Sequence, residues 1–206
     1  MKRVFIRTIY AGVSLIFLNA LFLTQSYAVP VIFEGSAYER IDVAGGITWG
    51  DAKLIAESMT YGGVQGHLAV ITSAAEDQFI IDTFNVFTDI DAGGIGFGPW
   101  IGLACTFKVD FDCSDFSNYE WVTGEAFNPL AYNGFGTFEP SGDGINGHPN
   151  PGGVQYLNFR GGWNDSGGDE TRPPGYIVEY VVVPEPATLA LMALGLAGLG
   201  FIRRKT

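Results

Sequence analysis

Two apolar stretches, one at each end, limit the part of this 206-residue chain that can fold as a globular domain. At the N-terminus, basic residues within the first seven positions precede an uncharged apolar run over residues 9–23. Ser26-Tyr27-Ala28 then offers small residues at the two positions that a signal peptidase reads. This order predicts a secretory signal peptide over residues 1–28, and therefore an exported protein.

The segment 184–206 repeats this pattern in the opposite order. Pro184-Glu185-Pro186 precedes residues 187–202, which carry no charge, and Arg203, Arg204 and Lys205 follow directly. At 1.5 Å per residue, a helix over residues 187–202 spans about 24 Å, short of the roughly 30 Å hydrocarbon core of a bilayer. The pattern predicts a short membrane helix with its basic end in the cytoplasm, and a packed core helix is the alternative.

This tail resembles the PEP-CTERM sorting signal of Gram-negative bacteria, in which a Pro-Glu-Pro motif, an apolar helix and a basic cluster follow one another. The matching residues are Pro184, Glu185, Pro186, Arg203 and Arg204. The resemblance implies recognition by an exosortase-type membrane enzyme, transient anchoring in the inner membrane and removal of the tail. It also implies a destination at the cell surface, in the outer envelope or in an extracellular matrix linked to exopolysaccharide.

The remaining residues, 29–183, are numerous enough for one domain with a proper core. They hold 21 of the 22 acidic residues but only 5 of the 11 basic ones, which gives this part a charge of about −16. So acidic a surface argues against nucleic-acid binding, because phosphate recognition needs Lys and Arg. It favours solubility and divalent cations, although a solvated acidic face explains the composition equally well.

The two cysteines, Cys105 and Cys113, predict a disulfide, since an even pair in an exported chain is a bridge more often than a metal site. The closed loop is short, so the bridge would act as a local staple that contributes at most about 2–3 kcal/mol. No Ser-His-Asp pattern or His-Glu metal motif occurs, and only two histidines are present. No catalytic residues are therefore predicted, and the chain is not expected to be an enzyme.

The hydrophobic pattern predicts two helices followed by strands that long loops connect, which is an α+β layout. Thr48 and Ser73, each with an acidic residue three positions later, mark the starts of the two helices. Residues 128–153 are rich in Gly, Pro and Asn and have no periodicity, and an ordered loop of that length is usually functional. Strands are predicted over residues 37–43, 67–71, 100–103, 119–122 and 177–182.

The order of these elements and several short blocks resemble the C-type lectin-like domain. The matching blocks are Trp49 with Ala52, residues 66–73, Trp100-Ile101-Gly102-Leu103, residues 119–125, Trp163-Asn164-Asp165 and residues 175–179. The resemblance implies two helices beside antiparallel sheets, termini that pair in one sheet, and a long loop that carries ligand binding in those members that bind a ligand. The half-cystines usual in this family are absent, so apolar packing is expected to hold the fold together.

The same resemblance indicates a calcium and sugar site in the long loop. In lectins of this family, a Glu-Pro-Asn or Gln-Pro-Asp motif joins the Asn-Asp pair after a tryptophan around one calcium ion, which takes oxygen ligands. Asn164 and Asp165 match that pair, and His148-Pro149-Asn150 is the best counterpart of the loop motif. His148 replaces the carboxylate, and imidazole is a poor calcium ligand. An alternative register uses Glu139-Pro140-Ser141 with Asp143 nearby.

The sequence therefore predicts an exported, surface- or matrix-associated protein whose domain, residues 29–183, binds a polysaccharide or other glycan. The predicted sugar-binding and metal-binding residues are Asn150, Asn164 and Asp165, with Glu139 and Asp143 as alternative ligands and calcium as a candidate cofactor. The alternative prediction is a calcium-independent structural or protein-interaction module of the extracellular matrix.

Overall fold

The computed structural model describes residues 29–87, 96–106, 112–142 and 152–182. The predicted signal peptide, the whole sorting segment from residue 184, and the loop residues Asp143, His148 and Asn150 lie outside these residues. In the described part of the chain, no helix has the length and apolar character needed to cross a membrane.

The described residues form two helices and ten strands in one α+β domain. In chain order the elements are β1 Val31–Phe33, β2 Ser36–Asp42, α1 Trp49–Ser58, β3 Thr60–Tyr61, β4 Val64–Gln65, β5 His67–Leu68, α2 Ala74–Phe84, β6 Phe97–Cys105, β7 Tyr119–Trp121, β8 Gly152–Leu157, β9 Gly162–Ser166 and β10 Gly175–Val181, with a 3₁₀ turn Phe116–Asn118 before β7.

Eight of the strands form one sheet, in the order β1-β2-β10-β6-β8-β9, with β5 also paired to β10 and β7 to β6. β10 pairs with β2 in antiparallel register from Gly175 opposite Asp42 to Val181 opposite Ser36. The contact between β10 and β6 is parallel, through Tyr176 and Trp100, and the other pairs in this sheet are antiparallel. The strands near the two ends of the described chain therefore pair with each other.

Both helices begin where the capping pattern indicates. The Thr48 hydroxyl accepts a hydrogen bond from the backbone N–H of Asp51 at 3.1 Å, and the Ser73 hydroxyl accepts one from Glu76 N–H at 3.1 Å. Each bond satisfies an N–H group that the first helical turn leaves without an intrahelical partner. The starts of α1 and α2 are thus determined by local sequence.

One predicted strand, residues 67–71, is shorter in the structure, because β5 ends at Leu68. Ala69 N–H still donates to the Ile177 carbonyl at 2.9 Å. Val70 N–H instead donates to the Glu179 carboxylate at 3.0 Å. A side chain therefore takes the place of the backbone partner and ends the pairing.

The core lies on both faces of β6, because successive side chains of a strand point to opposite faces. Trp100 belongs to a cluster with Tyr176 and the buried alanines of α1. Ile101 belongs to a second cluster, which contains Trp163 and reaches α2 through Ile80. Indole N–H groups in this region are satisfied, as Trp100 Nε1 donates to the Ile47 carbonyl at 2.7 Å.

Apolar packing is not the only force that holds this core together, contrary to the sequence-based expectation. Asp77 of α2 is buried, and its Oδ1 accepts hydrogen bonds from the Tyr156 hydroxyl and from Trp163 Nε1, the latter at 3.0 Å. Its Oδ2 accepts one from the Tyr132 hydroxyl at 2.6 Å. This carboxylate joins α2 to the loop after β7 and to β8 and β9.

A second buried carboxylate network lies around Tyr38 of β2. The Tyr38 hydroxyl donates to Glu76 Oε1 at 2.6 Å, and Glu76 Oε2 accepts from Thr72 N–H at 2.8 Å. Glu179 of β10 accepts from the Ser36 hydroxyl at 2.7 Å. Burial raises the pKa of Glu76, because removing the charged form from water is unfavourable.

Cys105, the last residue of β6, forms a disulfide with Cys113. The Tyr119 hydroxyl donates to the Cys113 carbonyl at 2.7 Å. The bridge therefore lies next to the β6–β7 pair, and Cys105 also lies opposite Gly152 of β8.

Candidate functional site

The Trp-Asn-Asp block predicted from the sequence lies on β9, where the alternation of a strand separates its side chains. Asn164 pairs with Gln155 of β8, and Asp165 pairs with Val154. Trp163 and Asp165 are both buried, and Asn164 is half-buried. Residues two apart share a face of a strand, so the indole and the carboxylate lie on the same side of β9.

The loop that follows β7 runs along the edge of β9, where Phe135 forms a parallel bridge with Trp163. Gly136 N–H donates to the Trp163 carbonyl at 2.9 Å, and Trp163 N–H donates to the Gly134 carbonyl at 2.8 Å. A Cβ added to Gly134 would lie 2.4 Å from Cε2 of Trp163, which is far inside van der Waals contact. Glycine at this position therefore lets the loop lie flat on the indole ring.

Asp165 fixes the next part of the same loop. Its Oδ1 accepts a hydrogen bond from Ser141 N–H at 2.8 Å, and its Oδ2 accepts one from Gly142 N–H at 3.1 Å. The peptide bond between Glu139 and Pro140 is cis. One carboxylate thus holds the backbone of residues 141 and 142 against β9.

Glu139 and Asp165 place two carboxyl groups side by side, and one arginine compensates part of the charge. Arg160 Nε lies 3.0 Å from Glu139 Oε1, and the Glu139 side chain is only 2% exposed. Burial raises the pKa of Asp165 to about 7, and the neighbouring Glu139 carboxyl group adds to the shift, while the hydrogen bond from Ser141 acts in the opposite direction. Asp165 therefore keeps its proton to a higher pH than an ordinary aspartate does.

These residues form one wall of a cleft of about 600 Å³, which we call the β9 cleft. Its lining combines acceptors, donors and aromatic rings. The acidic residues are Glu139, Asp165, Asp169 and Glu170, the arginines are Arg160 and Arg172, and the aromatic residues are Phe97 and Phe159, together with Asn164 and Ser141.

Two pairs of an arginine and a phenylalanine line the cleft. The Arg172 guanidinium lies 4.3 Å from the centre of the Phe97 ring and forms an ion pair with Glu170 at 2.5 Å. The Arg160 guanidinium lies 5.0 Å from the ring centre of Phe159, which is 69% exposed. Such stacking holds planar donors against apolar surfaces at the mouth of a polar cleft.

The structure brings together Asn164, Asp165 and Glu139, which belong to the predicted site and its alternative register. Asn164 Nδ2 donates to the backbone carbonyl of Asp165 at 2.6 Å. The predicted Asn150 and the alternative ligand Asp143 lie outside the described residues.

Sequence reasoning missed the two arginines and Phe159. The one signal that could have indicated them is their position in the chain: Phe159 and Arg160 lie just before β9, and Arg172 lies in the loop between β9 and β10.

The described side chains alone do not fit a calcium site. Among them, no group of three or more His, Cys, Asp or Glu residues is arranged to hold a metal ion. Calcium takes six to eight oxygen ligands. Glu139 is engaged by Arg160, and both oxygens of Asp165 already accept backbone N–H groups. A calcium ion here would need further oxygen ligands besides these two carboxylates.

Comparison with solved structures identifies the fold. The C-type lectin CEL-I from Cucumaria echinata is similar with a TM-score of 0.54 and 19% identity, over 77% of this chain and 99% of that chain. An EPNH mutant of CEL-I gives a TM-score of 0.55 and 18% identity, over 78% of this chain and all of that chain. Human lithostathine gives a TM-score of 0.52 and 19% identity, over 74% and 88% of the two chains.

Comparison of sequences identifies the tail. A family model described as a PEP-CTERM protein-sorting motif matches residues 182–205. No curated protein gives a significant match to the sequence. Both resemblances inferred from the sequence are thus confirmed: the chain combines a domain of the C-type lectin-like fold with a C-terminal PEP-CTERM protein-sorting motif.

Proposed function

We propose that this protein is an exported carbohydrate-binding protein and that a glycan binds in the β9 cleft. The observation that supports this most directly is the cleft itself, in which hydrogen-bonding side chains of both kinds lie beside the exposed ring of Phe159. The C-type lectin-like fold is compatible with a binding role.

The chemistry of the lining suits a sugar. Sugar hydroxyls both donate and accept hydrogen bonds, and the carboxylate of Asp169 accepts while the guanidinium of Arg160 donates from a planar fork. The flat apolar ring of Phe159 can cover the C–H face of a pyranose. The charge of about −16 over residues 29–183 disfavours polyanionic polymers, so a neutral polysaccharide is the preferred ligand.

In this proposal calcium only assists the binding of the glycan. Asn150, Asn164 and Asp165 are the residues that would hold it by the family resemblance, with Glu139 and Asp143 as alternatives. The described part of this set supplies two carboxylates and one amide, so direct hydrogen bonding is the primary mode of binding that we propose.

We also propose that the protein is exported and then sorted to the cell surface or matrix. A signal peptide over residues 1–28 would direct the chain across the inner membrane, where residues 187–202 would anchor it transiently. The PEP-CTERM motif would be recognised by an exosortase-type enzyme of a Gram-negative bacterium, which would release the domain to the cell surface or the exopolysaccharide matrix. The domain, residues 29–183, would then act outside the cell.

A protein-interaction module of the extracellular matrix is the second candidate function. It is favoured by two large apolar side chains on the loop after β7, since Leu130 is 96% exposed and Phe138 is 83% exposed. Exposed apolar side chains in one loop are typical of contacts with a protein partner.

A glycan microarray distinguishes the two functions, with the full-length chain kept in mild detergent. We expect binding to neutral oligosaccharides that falls about tenfold or more in Asn164→Ala and in Phe159→Ala, because each change removes a contact in the β9 cleft. Gln78→Ala, on the exposed face of α2, serves as the matched control and should bind like the wild type.

The same array is run with EDTA and with millimolar calcium. Binding that persists in EDTA supports direct recognition, whereas binding that requires calcium supports the calcium-assisted mode. A folded wild type that binds no glycan under either condition contradicts the carbohydrate-binding proposal and favours the protein-interaction function.

A further inference from the structure

A second cleft, of about 460 Å³, lies between the end of α1, the β3 strand and the paired strands β2 and β10. Its lining includes Glu39, Ile41, Met59, Tyr61, Tyr176 and Tyr180, and we call it the Glu39 cleft. No element of this lining contributes to the β9 cleft. The volume is in the range of clefts that bind small molecules.

The cleft holds one buried carboxylate that is poorly satisfied. Glu39 is 4% exposed, and its Oε1 has no hydrogen-bond partner. Its Oε2 accepts a hydrogen bond from the Tyr180 hydroxyl at 3.3 Å, which is long for an O–H···O bond. A buried acceptor without a donor costs roughly 1–3 kcal/mol, so a ligand that brings a donor is favoured here.

The position of Glu39 follows from the register of the sheet. Glu39 lies opposite Val178, and Tyr38 lies opposite Glu179. Because neighbours on a strand point to opposite faces, Tyr38 joins the carboxylate network under α2, whereas Glu39 points towards α1. Tyr38 and Glu39, adjacent on β2, therefore point to opposite faces of the sheet.

The surroundings of Glu39 offer no cation. The residues that line the cleft, all within the described part of the chain, include no Lys, Arg or His. Burial raises the pKa of Glu39, because the charged form loses its hydration. A cation that entered the cleft would restore the charge balance that the fold does not provide.

Aromatic rings beside the carboxylate favour a cation as well. The rings of Tyr61 and Tyr180 lie with their centroids 5.7 Å apart on one side of the cleft. The faces of such rings attract positive charge, most strongly where water is excluded. Met59 and Ile55 complete an apolar wall that suits a hydrocarbon body.

From this arrangement we infer that the Glu39 cleft binds a primary ammonium group carried on a small apolar body. An ammonium group supplies N–H donors for Oε1, which a quaternary ammonium lacks, and it supplies the charge that an alcohol lacks. Terminal torsions of glutamate are broad, so a small rotation of the carboxyl group can turn either oxygen towards the ligand.

Calorimetric titration of phenethylamine into the full-length chain in mild detergent tests this inference, with 2-phenylethanol as the neutral probe of the same shape. We expect the amine to bind at least about tenfold more tightly than the alcohol. Glu39→Gln, which keeps the size of the side chain, should weaken amine binding about tenfold or more. Glu34→Gln removes the same charge from an exposed turn and should change binding less than about twofold.

A second variant, Ile55→Trp, tests the inference even if Glu39→Gln does not fold. Ile55 lines the cleft and is 44% exposed, so Ile55→Trp should fill the opening and prevent amine binding while Glu39 remains in place. The inference is overturned if the amine and the alcohol bind equally, or if a folded Ile55→Trp variant binds the amine as well as the wild type does.

Discussion

Asp77 and Asp165 are both buried carboxylates, but their surroundings differ in a way that separates structure from function. Asp77 accepts hydrogen bonds from three side chains, Tyr132, Tyr156 and Trp163, and lies inside the core. Asp165 accepts from two backbone N–H groups, lies beside a second carboxyl group and faces the β9 cleft. The number and kind of hydrogen-bond donors, rather than burial, therefore distinguish the acid that stabilises the core, Asp77, from the acid that is available to a ligand, Asp165.

The largest effect is expected at Asp77. Asp77→Asn replaces the charge-assisted hydrogen bonds of a buried carboxylate with weaker neutral ones and reverses the bond with the Tyr132 hydroxyl. We expect the free energy of unfolding to fall by about 3 kcal/mol, measured by guanidinium denaturation and tryptophan fluorescence. Asp82→Asn, on the exposed face of the same helix, is the control and should change stability by less than about 0.5 kcal/mol.

A loss below about 1 kcal/mol in Asp77→Asn would contradict the structural role of that carboxylate. It would also remove the contrast with Asp165, since neither acid would then contribute strongly to the core.

An intermediate effect is expected from the titration of Asp165. Its pKa is raised to about 7 in the folded state, whereas an unfolded Asp has a pKa near 3.9. Between about pH 4 and pH 7 the folded state therefore binds more protons than the unfolded state, and the contribution of Asp165 to stability falls as the pH rises.

Asp165→Asn removes this dependence. The stability of the variant relative to the wild type should increase by at least about 1 kcal/mol from pH 4.5 to pH 7.5, as measured by denaturation at each pH. Parallel stability curves for the two proteins would show that the pKa of Asp165 is not raised.

The smallest effect on stability is expected at Phe159, where an effect on binding is proposed. Its ring is largely exposed and contacts the Arg160 guanidinium, so Phe159→Ala should change the free energy of unfolding by less than about 0.5 kcal/mol. A thermal melt alongside the glycan array checks this. A large loss of stability would mean that Phe159 belongs to the core and that its binding phenotype is indirect.

Sequence reasoning succeeded where the controlling interactions are local. The helix starts at Thr48 and Ser73 depend on residues three positions apart, and both were predicted and found. The pairing of β2 with β10 was implied by family resemblance and not by any local pattern.

The interactions that sequence reasoning missed join residues far apart in the chain. Asp77 contacts Tyr156 and Trp163 only in the folded protein. From the sequence alone, an aspartate in a helix is expected to be exposed to solvent. The partner of Asp165 in the loop is a similar case. Two Pro-containing motifs, Glu139-Pro140 and His148-Pro149, lie in a segment that has no periodicity. Their spacing from Asp165 alone does not show which of them contacts it. In the structure, the motif at Glu139 lies against Asp165.

The place of β10 in the sheet has a mechanical consequence for a protein held by its C-terminal end. β10 lies between β2 and β6 and ends at Val181, directly before the sorting motif. A pull on the tail would act along the length of β10 and would load its hydrogen bonds with β2 together, in shear, instead of opening them one after another. The sheet therefore resists such a load best at the strand that directly precedes the sorting motif.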